Sequence, residues 1–377
     1  MKWCRASILV GALLGAGCGG SASTVQAPTL AVVNASALSK MVRGVEAAQQ
    51  PDGRKRAESL FTEAVKADPQ LWEAQYNLGV LLAERGELES AERHLAGAVK
   101  LAPNAEDVVV ALAEVRRRAG DPKGAVKALE GFVKSAPEAL TARTALVSAF
   151  REAGRIPEAI EQARQVLLRR SRDSNALAEM AMSYLEQDEV DTAKLLSEEA
   201  LKAEPKTATA ERTAAMIALH QGDDAVAFHH FAKASSLDSK DTTARLNMGM
   251  VLVQAGVYDA AVPHFRAVLE VEPDGEEATL GLAAALRGQG ARDKTESYRE
   301  AESLLKGILA RRPGHVAATH NLAVLYADFL DNPADAKKLY TQFLKKSRES
   351  HPARPGARAW LKTQAQREAD GVGQPAR

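Results

Sequence analysis

The sequence predicts an all-α array of stacked helix-turn-helix units, and three residue series in one register predict it. Ala57, Ala91, Ala125, Ala159, Ala193, Ala227 and Ala261 stand 34 residues apart. Pro69, Pro103 and Pro137 keep the same interval, with Pro205 and Pro273 on its multiples. Gly86, Gly120, Gly154, Gly222 and Gly256 form the third series. Composition agrees, since aromatics are only 5% of the 377 residues and alanine is abundant, which favours close-packed helices over sheets. Hydrophobic residues at 46% and charged residues at 26% exclude wholesale disorder. Lys plus Arg and Asp plus Glu number 49 each, so the chain as a whole carries no attraction to nucleic acid or to an anionic bilayer.

Each position in the period has a physical duty. Two helices of about a dozen residues fill 34 positions and leave short turns. Gly at position 15 permits the left-handed conformation that ends the first helix, helix A. Ala at position 20 has almost no side chain, so the second helix, helix B, can approach closely. Pro at position 32 lacks an N–H and turns the residue before it away from the helix, ending helix B. One such hairpin cannot bury its apolar face alone, so stability must come from stacking.

The period and its residues resemble the tetratricopeptide (TPR) repeat. Repeats begin at 38, 72, 106, 140, 174, 208, 242 and 276, with a ninth near 316, together covering 38–352. Asn77-Leu78-Gly79, Asn247-Met248-Gly249 and Asn321-Leu322-Ala323 match the helix-A core of that family. Tyr184 and Tyr326 hold its Tyr position, and Phe61, Phe231, Phe265 and Tyr340 its helix-B aromatic position. The resemblance implies a right-handed superhelical solenoid of about nine TPR repeats. A C-terminal cap helix is expected over 353–369, where Ala359, Trp360 and Leu361 lie among Arg358, Lys362 and Gln364, and a disordered tail over 370–377.

Departures from the pattern carry their own expectations. Ser171 and Ser239 replace the proline of repeats four and six. Repeat one, with Met41, Gly44 and Val45, reads as a terminal cap. Repeat eight reaches its alanine only at Ala301, and Gly288-Gln289-Gly290-Ala291-Arg292-Asp293 should form a longer loop between its helices. Repeat nine shifts by one, to Ala336.

The N-terminus reads as an address. Met1-Lys2-Trp3-Cys4-Arg5 is a short basic start, and Ala6 to Gly17 is an uncharged apolar stretch. It is too short to span a bilayer and suits the core of a signal peptide over 1–17. Leu14-Gly15-Ala16-Gly17-Cys18 resembles a bacterial lipoprotein lipobox, which implies acylation of Cys18. The usual leucine position holds Gly15, one place off, and secretion with cleavage near Ser21-Ala22-Ser23 is the alternative. Gly19, where an Asp signals inner-membrane retention in enterobacteria, implies the outer membrane. Several acyl chains anchor far more firmly than one. Residues 18–37 are then the lipidated end and a flexible tether. Cys4 and Cys18 are the two cysteines, so the body has neither a disulfide framework nor a cysteine-ligated metal site.

Catalytic patterns are missing: there is no His-Glu-x-x-His, no Gly-x-Ser-x-Gly elbow and no P-loop, and Gly15, Gly17 and Gly20 follow no strand. An enzyme is not expected, nor a metal or a cofactor beyond the N-terminal lipid. His94, His230 and His264 share repeat position 23, where solvated or packing roles are usual. Arg116-Arg117-Arg118, Arg169-Arg170 and Arg311-Arg312 lie near helix C-termini, where they complement the helix dipole.

In TPR arrays the concave face is lined mainly by helix-A positions 2, 5, 9 and 12. Position 9 carries Met182, Met216 and Met250, and position 12 of the same repeats carries Leu185, Leu219 and Val253. Three residues apart, they share one helical face. Repeats three and four offer Glu114 with Arg117 and Ser148 with Arg151, so the surface should change from polar to apolar. A methionine-lined groove would take an amphipathic helix or an extended peptide; the other reading is that the methionines fill gaps between helices. The Lys and Asn that grip a C-terminal carboxylate in some TPR domains are replaced by Tyr76 with Val80, Thr144 with Ser148, and Arg212 with Met216.

The expected function is therefore non-enzymatic. We read an outer-membrane lipoprotein facing the periplasm that scaffolds an envelope complex through protein partners, without nucleic acid, touching the membrane through its lipid alone. Outer-membrane TPR lipoproteins serve pilus and secretion machinery and gliding motility, and the long array resembles most the gliding-motility TPR lipoproteins of myxobacteria. The alternatives are a periplasmic TPR adaptor that organises cell-wall or polysaccharide synthesis, and a cytoplasmic adaptor with a mis-assigned start.

Overall fold

The computed structural model describes residues 34–239, 241–290 and 295–369. Among these residues it has nineteen helices and no strand. The odd-numbered helices are α1 (Ala35–Ala48), α3 (Trp72–Glu84), α5 (Glu106–Arg118), α7 (Leu140–Glu152), α9 (Ser174–Leu185), α11 (Ala208–His220), α13 (Thr242–Gln254), α15 (Glu276–Gly290), α17 (Val316–Asp328) and α19 (Arg354–Ala369). Between them run α2 (Arg54–Ala67), α4 (Leu88–Leu101), α6 (Pro122–Ser135), α8 (Ile156–Leu167), α10 (Val190–Ala203), α12 (Asp224–Leu237), α14 (Tyr258–Val271), α16 (Thr295–Arg311) and α18 (Pro333–Lys346). The first eighteen pair into nine hairpins, and α19 packs on α18 as a final single helix.

The turns inside the hairpins repeat one hydrogen-bond pattern. In repeat two the Gly86 amide donates to Ala83 and the Glu87 amide to Leu82; in repeat three Gly120 donates to Arg117 and Asp121 to Arg116. This double closure satisfies the last carbonyls of helix A and requires a positive φ at the first of the two donors. Repeat five forms the same turn with Asp188, at φ 64°, in the glycine's place.

Close approach of the two helices follows from position 20. Ala57, Ala91, Ala125, Ala159, Ala193, Ala227 and Ala261, with Ala301 and Ala336 in the shifted repeats, are all wholly buried. Four residues on, Phe61, Leu95, Leu129, Phe231 and Phe265 fill the space between the helices, each fully buried. Repeat five has Ser197 there.

The helices form two layers. Successive odd-numbered helices touch one another from α1 to α11 and again from α13 to α17, whereas successive even-numbered helices make no comparable contact. Helices A therefore line the inside of the curve and helices B the outside.

Two expectations are corrected. Repeat eight takes up most of its extra residues by lengthening helices: α15 runs through Gly288, Gln289 and Gly290, and α16 has 17 residues against 14 in most even helices. Gly290 is buried against the ring of Tyr298, so extending the helix covers more surface than a loop would. At the N-terminus the tether does not reach residue 37, because α1 begins at Ala35. The Asn34 side chain caps it by accepting from the amides of Ser36 and Ala37. The signal peptide, Cys18 and the tail over 370–377 lie outside the described residues, and no described helix is long and apolar enough to cross a membrane.

A non-glycine residue held left-handed costs about 1 kcal/mol. Asp188→Gly is expected to stabilise the array by that amount, read as a higher denaturation midpoint, while Gly120→Ala lowers it.

Candidate functional site

The inner layer is polar in its first half. On α5, Arg117 reaches Glu114 at 2.6 Å and, across to α7, Glu152 at 2.8 Å. On α7, Arg151 reaches Glu179 on α9 at 3.3 Å and Glu186, just past the end of α9, at 2.7 Å. The result is a ladder of ion pairs crossing three inner helices. Burial opposes the charge on Arg117 and Arg151, yet the neighbouring carboxylates outweigh it and hold both guanidiniums more firmly protonated than usual. Arg151 is 15% exposed and Glu179 12%, so this end of the ladder is a desolvated pair rather than a surface one.

Beyond the ladder the inner face turns apolar, and the six residues singled out in the sequence divide. Met182 and Met216 are half-buried, and both pack against buried Leu185, Ala193 and Ile217. These two methionines fill the junction between repeats five and six. Leu219 packs into the core around Phe231 and Met248, and Val253 against the core of repeats seven and eight. Met250 differs, being 53% exposed. The structure thus brings Met182, Leu185 and Met216 together in packing and leaves Met250, with half-buried Val253 one turn on, open on the inner layer.

A recurrent polar pair escaped the reading of the sequence. His94 meets Gln75 at 2.6 Å, His230 meets Glu211 at 2.6 Å, and Arg143 donates to Gln162 at 2.6 Å. Each joins position 4 of helix A to position 23 of its own helix B. His94 and His230 are clasps within hairpins rather than solvated groups, whereas His264 at the same position meets the ring of Phe228 edge-on. Polar residues standing 19 apart were the available signal. The arginine clusters also do more than face a helix end: Arg116 pairs with Glu92 at 2.9 Å, Arg118 donates to the Ala83 carbonyl at 2.9 Å, and Arg312 pairs with Glu276 at 2.5 Å. The first two tie repeat three to repeat two, and the third joins the two ends of repeat eight. Among the described residues no three His, Cys, Asp or Glu side chains are grouped to hold a metal ion.

Two outcomes follow from these charges. Arg151→Ala leaves Glu179 desolvated without its partner and should cost about 3 kcal/mol in chemical denaturation; Glu114→Ala, at a more exposed pair, should cost under about 1 kcal/mol. Burial, reinforced by Arg93 and Arg245 respectively, pushes His94 and His264 below the ordinary histidine value. The unfolded chain then binds these protons first as pH falls. The stabilisation from neutral imidazoles, complete above about pH 6.5, should be lost progressively below it. Melting temperatures measured from pH 7.5 to pH 5 check this, and His264→Gln should reduce the loss.

Two models described as tetratricopeptide repeat match the sequence, one over residues 54–115 and the other over 110–176, 179–241 and 246–294. No curated protein matches the sequence. Among solved structures, the APC/C hetero-tetramer Cut9–Hcn1 is similar at TM-score 0.60 and 16% identity, over 86% of this chain and 62% of that one. This chain therefore spans less than two thirds of that chain's length, and the likeness is one of fold. YrrB, a TPR protein with an unusual peptide-binding site, aligns at TM-score 0.44 and 19% identity over 54% of this chain and 97% of its own. The human IFIT1 dimer with m7Gppp-AAAA aligns at TM-score 0.48 and 16% identity, over 82% of this chain and 72% of that one. With repeat models matching well over half of its length, the chain belongs to the tetratricopeptide repeat family.

Proposed function

We propose that the chain is a non-enzymatic scaffold, anchored to the outer membrane through lipid on Cys18, whose inner face holds a protein partner within an envelope complex. TPR proteins generally mediate protein–protein interaction, and the inner helix layer is where such an array offers its continuous surface. The observation that carries the reading is Met250, a large apolar side chain 53% exposed on that layer. A flexible, polarisable side chain in this setting suits an amphipathic helix or an extended peptide with apolar residues on one side. The lipobox resemblance at Leu14 to Cys18 supports the anchor, and the length of the array favours gliding-motility machinery, with type IV pilus or secretion machinery next. No cofactor is assigned beyond the covalent lipid.

Crosslinking in the native envelope followed by mass spectrometry names the partners. Motility or secretin components support the reading, and cell-wall synthases would replace it with an adaptor for synthesis enzymes. Met250→Glu should weaken capture of the crosslinked partner at least about tenfold with a stability change within about 0.5 kcal/mol. Capture that survives moves the binding surface elsewhere. Met182 and Met216 are unsuitable for this test because they are built into the packing. Cys18→Ala should shift the protein from the membrane pellet to the soluble fraction, and an unchanged pellet excludes acyl anchoring.

A further inference from the structure

Gly86 and Val271 are 185 residues apart in sequence, yet they meet in space. Gly86 sits in the turn between α3 and α4 at φ 82°. A Cβ there would stand 2.8 Å from the Val271 carbonyl oxygen and 3.5 Å from Cδ of Pro273. Gly120, Gly154, Gly222 and Gly256 occupy the same turn in other repeats, and at each of them nothing lies within 4 Å of a Cβ. The contact is particular to repeats two and seven, and it excludes any side chain.

Its position explains it. Turns inside hairpins lie along one edge of the ribbon of helices, and connections between hairpins along the other. Gly86 belongs to the first edge, and Val271 and Pro273 to the second. Such an edge meets its opposite when a superhelix has come full circle. Repeats two to seven therefore form a closed turn with the inner face directed into it. The seam sets the Gly86 backbone against the Val271 carbonyl, with no room for a side chain between them.

Halfway along the chain between these ends lies repeat five, which carries several local packing defects. Ser197 stands where repeats two, three, six and seven bury Leu or Phe and repeat four buries Ala163; it is 3% exposed and its hydroxyl has no partner. Asp188 holds the strained left-handed turn. The preceding helix, α8, has 12 residues against 14 in most even helices. Leu168 at its end is 77% exposed, and Leu195 on α10 is 60% exposed. Small or unsatisfied groups in the core and apolar groups in water mark a segment of low local stability.

We infer that repeats two to seven work as a clamp, hinged at repeat five and latched where Gly86 meets Val271, which parts to admit a partner to the inner face. This rests on the reading of the inner face as the binding surface, but its test does not use a partner. Spin labels at Glu87→Cys and Asp274→Cys, in the full chain with Cys4→Ser and Cys18→Ser, report the seam by electron–electron double resonance. A short, narrow distance distribution is expected. Adding Gly86→Asn should lengthen and broaden it, because the new side chain strikes the Val271 carbonyl. Adding Gly120→Asn, which makes the same backbone demand with open space around it, should leave it unchanged. A distribution already broad in the starting chain, or one insensitive to Gly86→Asn, overturns the latch. Amide hydrogen exchange tests the hinge: α9 and α10 should exchange at least about tenfold faster than α5, α6, α13 and α14, and uniform exchange across these helices overturns it. Failure of either result leaves partner capture and its dependence on Met250 untouched, so the two readings stand or fall separately.

Discussion

Everything in this molecule depends on how closely the two helices of a hairpin can approach, and one wholly buried alanine per repeat sets that distance. With no side chain beyond Cβ at position 20, the backbones close until Phe61, Leu95 or Phe265 fills the remaining gap. The apolar surface left over faces the next hairpin, so each repeat is finished by its neighbours rather than by itself. An array built this way has no central core to cut a pocket into. Its functional surface is the layer of helices on the inside of the curve.

That inner layer is not uniform, and the difference is electrostatic. Through α5, α7 and α9, Arg117 and Arg151 are each held by glutamates of adjacent helices, so repeats three to five are cross-linked by charge. Replacing that charge with Met182, Leu185 and Met216 keeps the stack together by burial instead. Met250 then lies where packing demand has ended but the surface is still apolar. The same transition places the poorly filled repeat five between a rigid polar half and a better-packed second half with Phe231 and Phe265 at its core.

Much of the fold was legible because the period is long and each of its positions answers to a single cause. A left-handed turn demands glycine, a close approach demands alanine, and a helix end tolerates proline. The helix starts at residues 72, 106, 140, 174, 208, 242 and 276 coincide with that register. The six candidate groove residues were less legible. Repeat position shows that Met182, Met216 and Met250 share a face, but exposure depends on what stands opposite. Ile217 and Ala193 cover the first two, and no comparable cluster closes over the third. The clasp between positions 4 and 23 was hidden for a different reason: its members change chemistry from Gln–His to Arg–Gln to Glu–His, so no single residue type repeats.

The sequence by itself determined the hairpin, its register and the stacking of like on like, because these follow from local backbone preference and from apolar residues recurring at one interval. Tertiary structure alone decided how far the stack bends, and with it the meeting of Gly86 with Val271. Curvature accumulates from small rotations at every junction, each set by the volumes of several side chains at once. No residue series in one dimension records that sum.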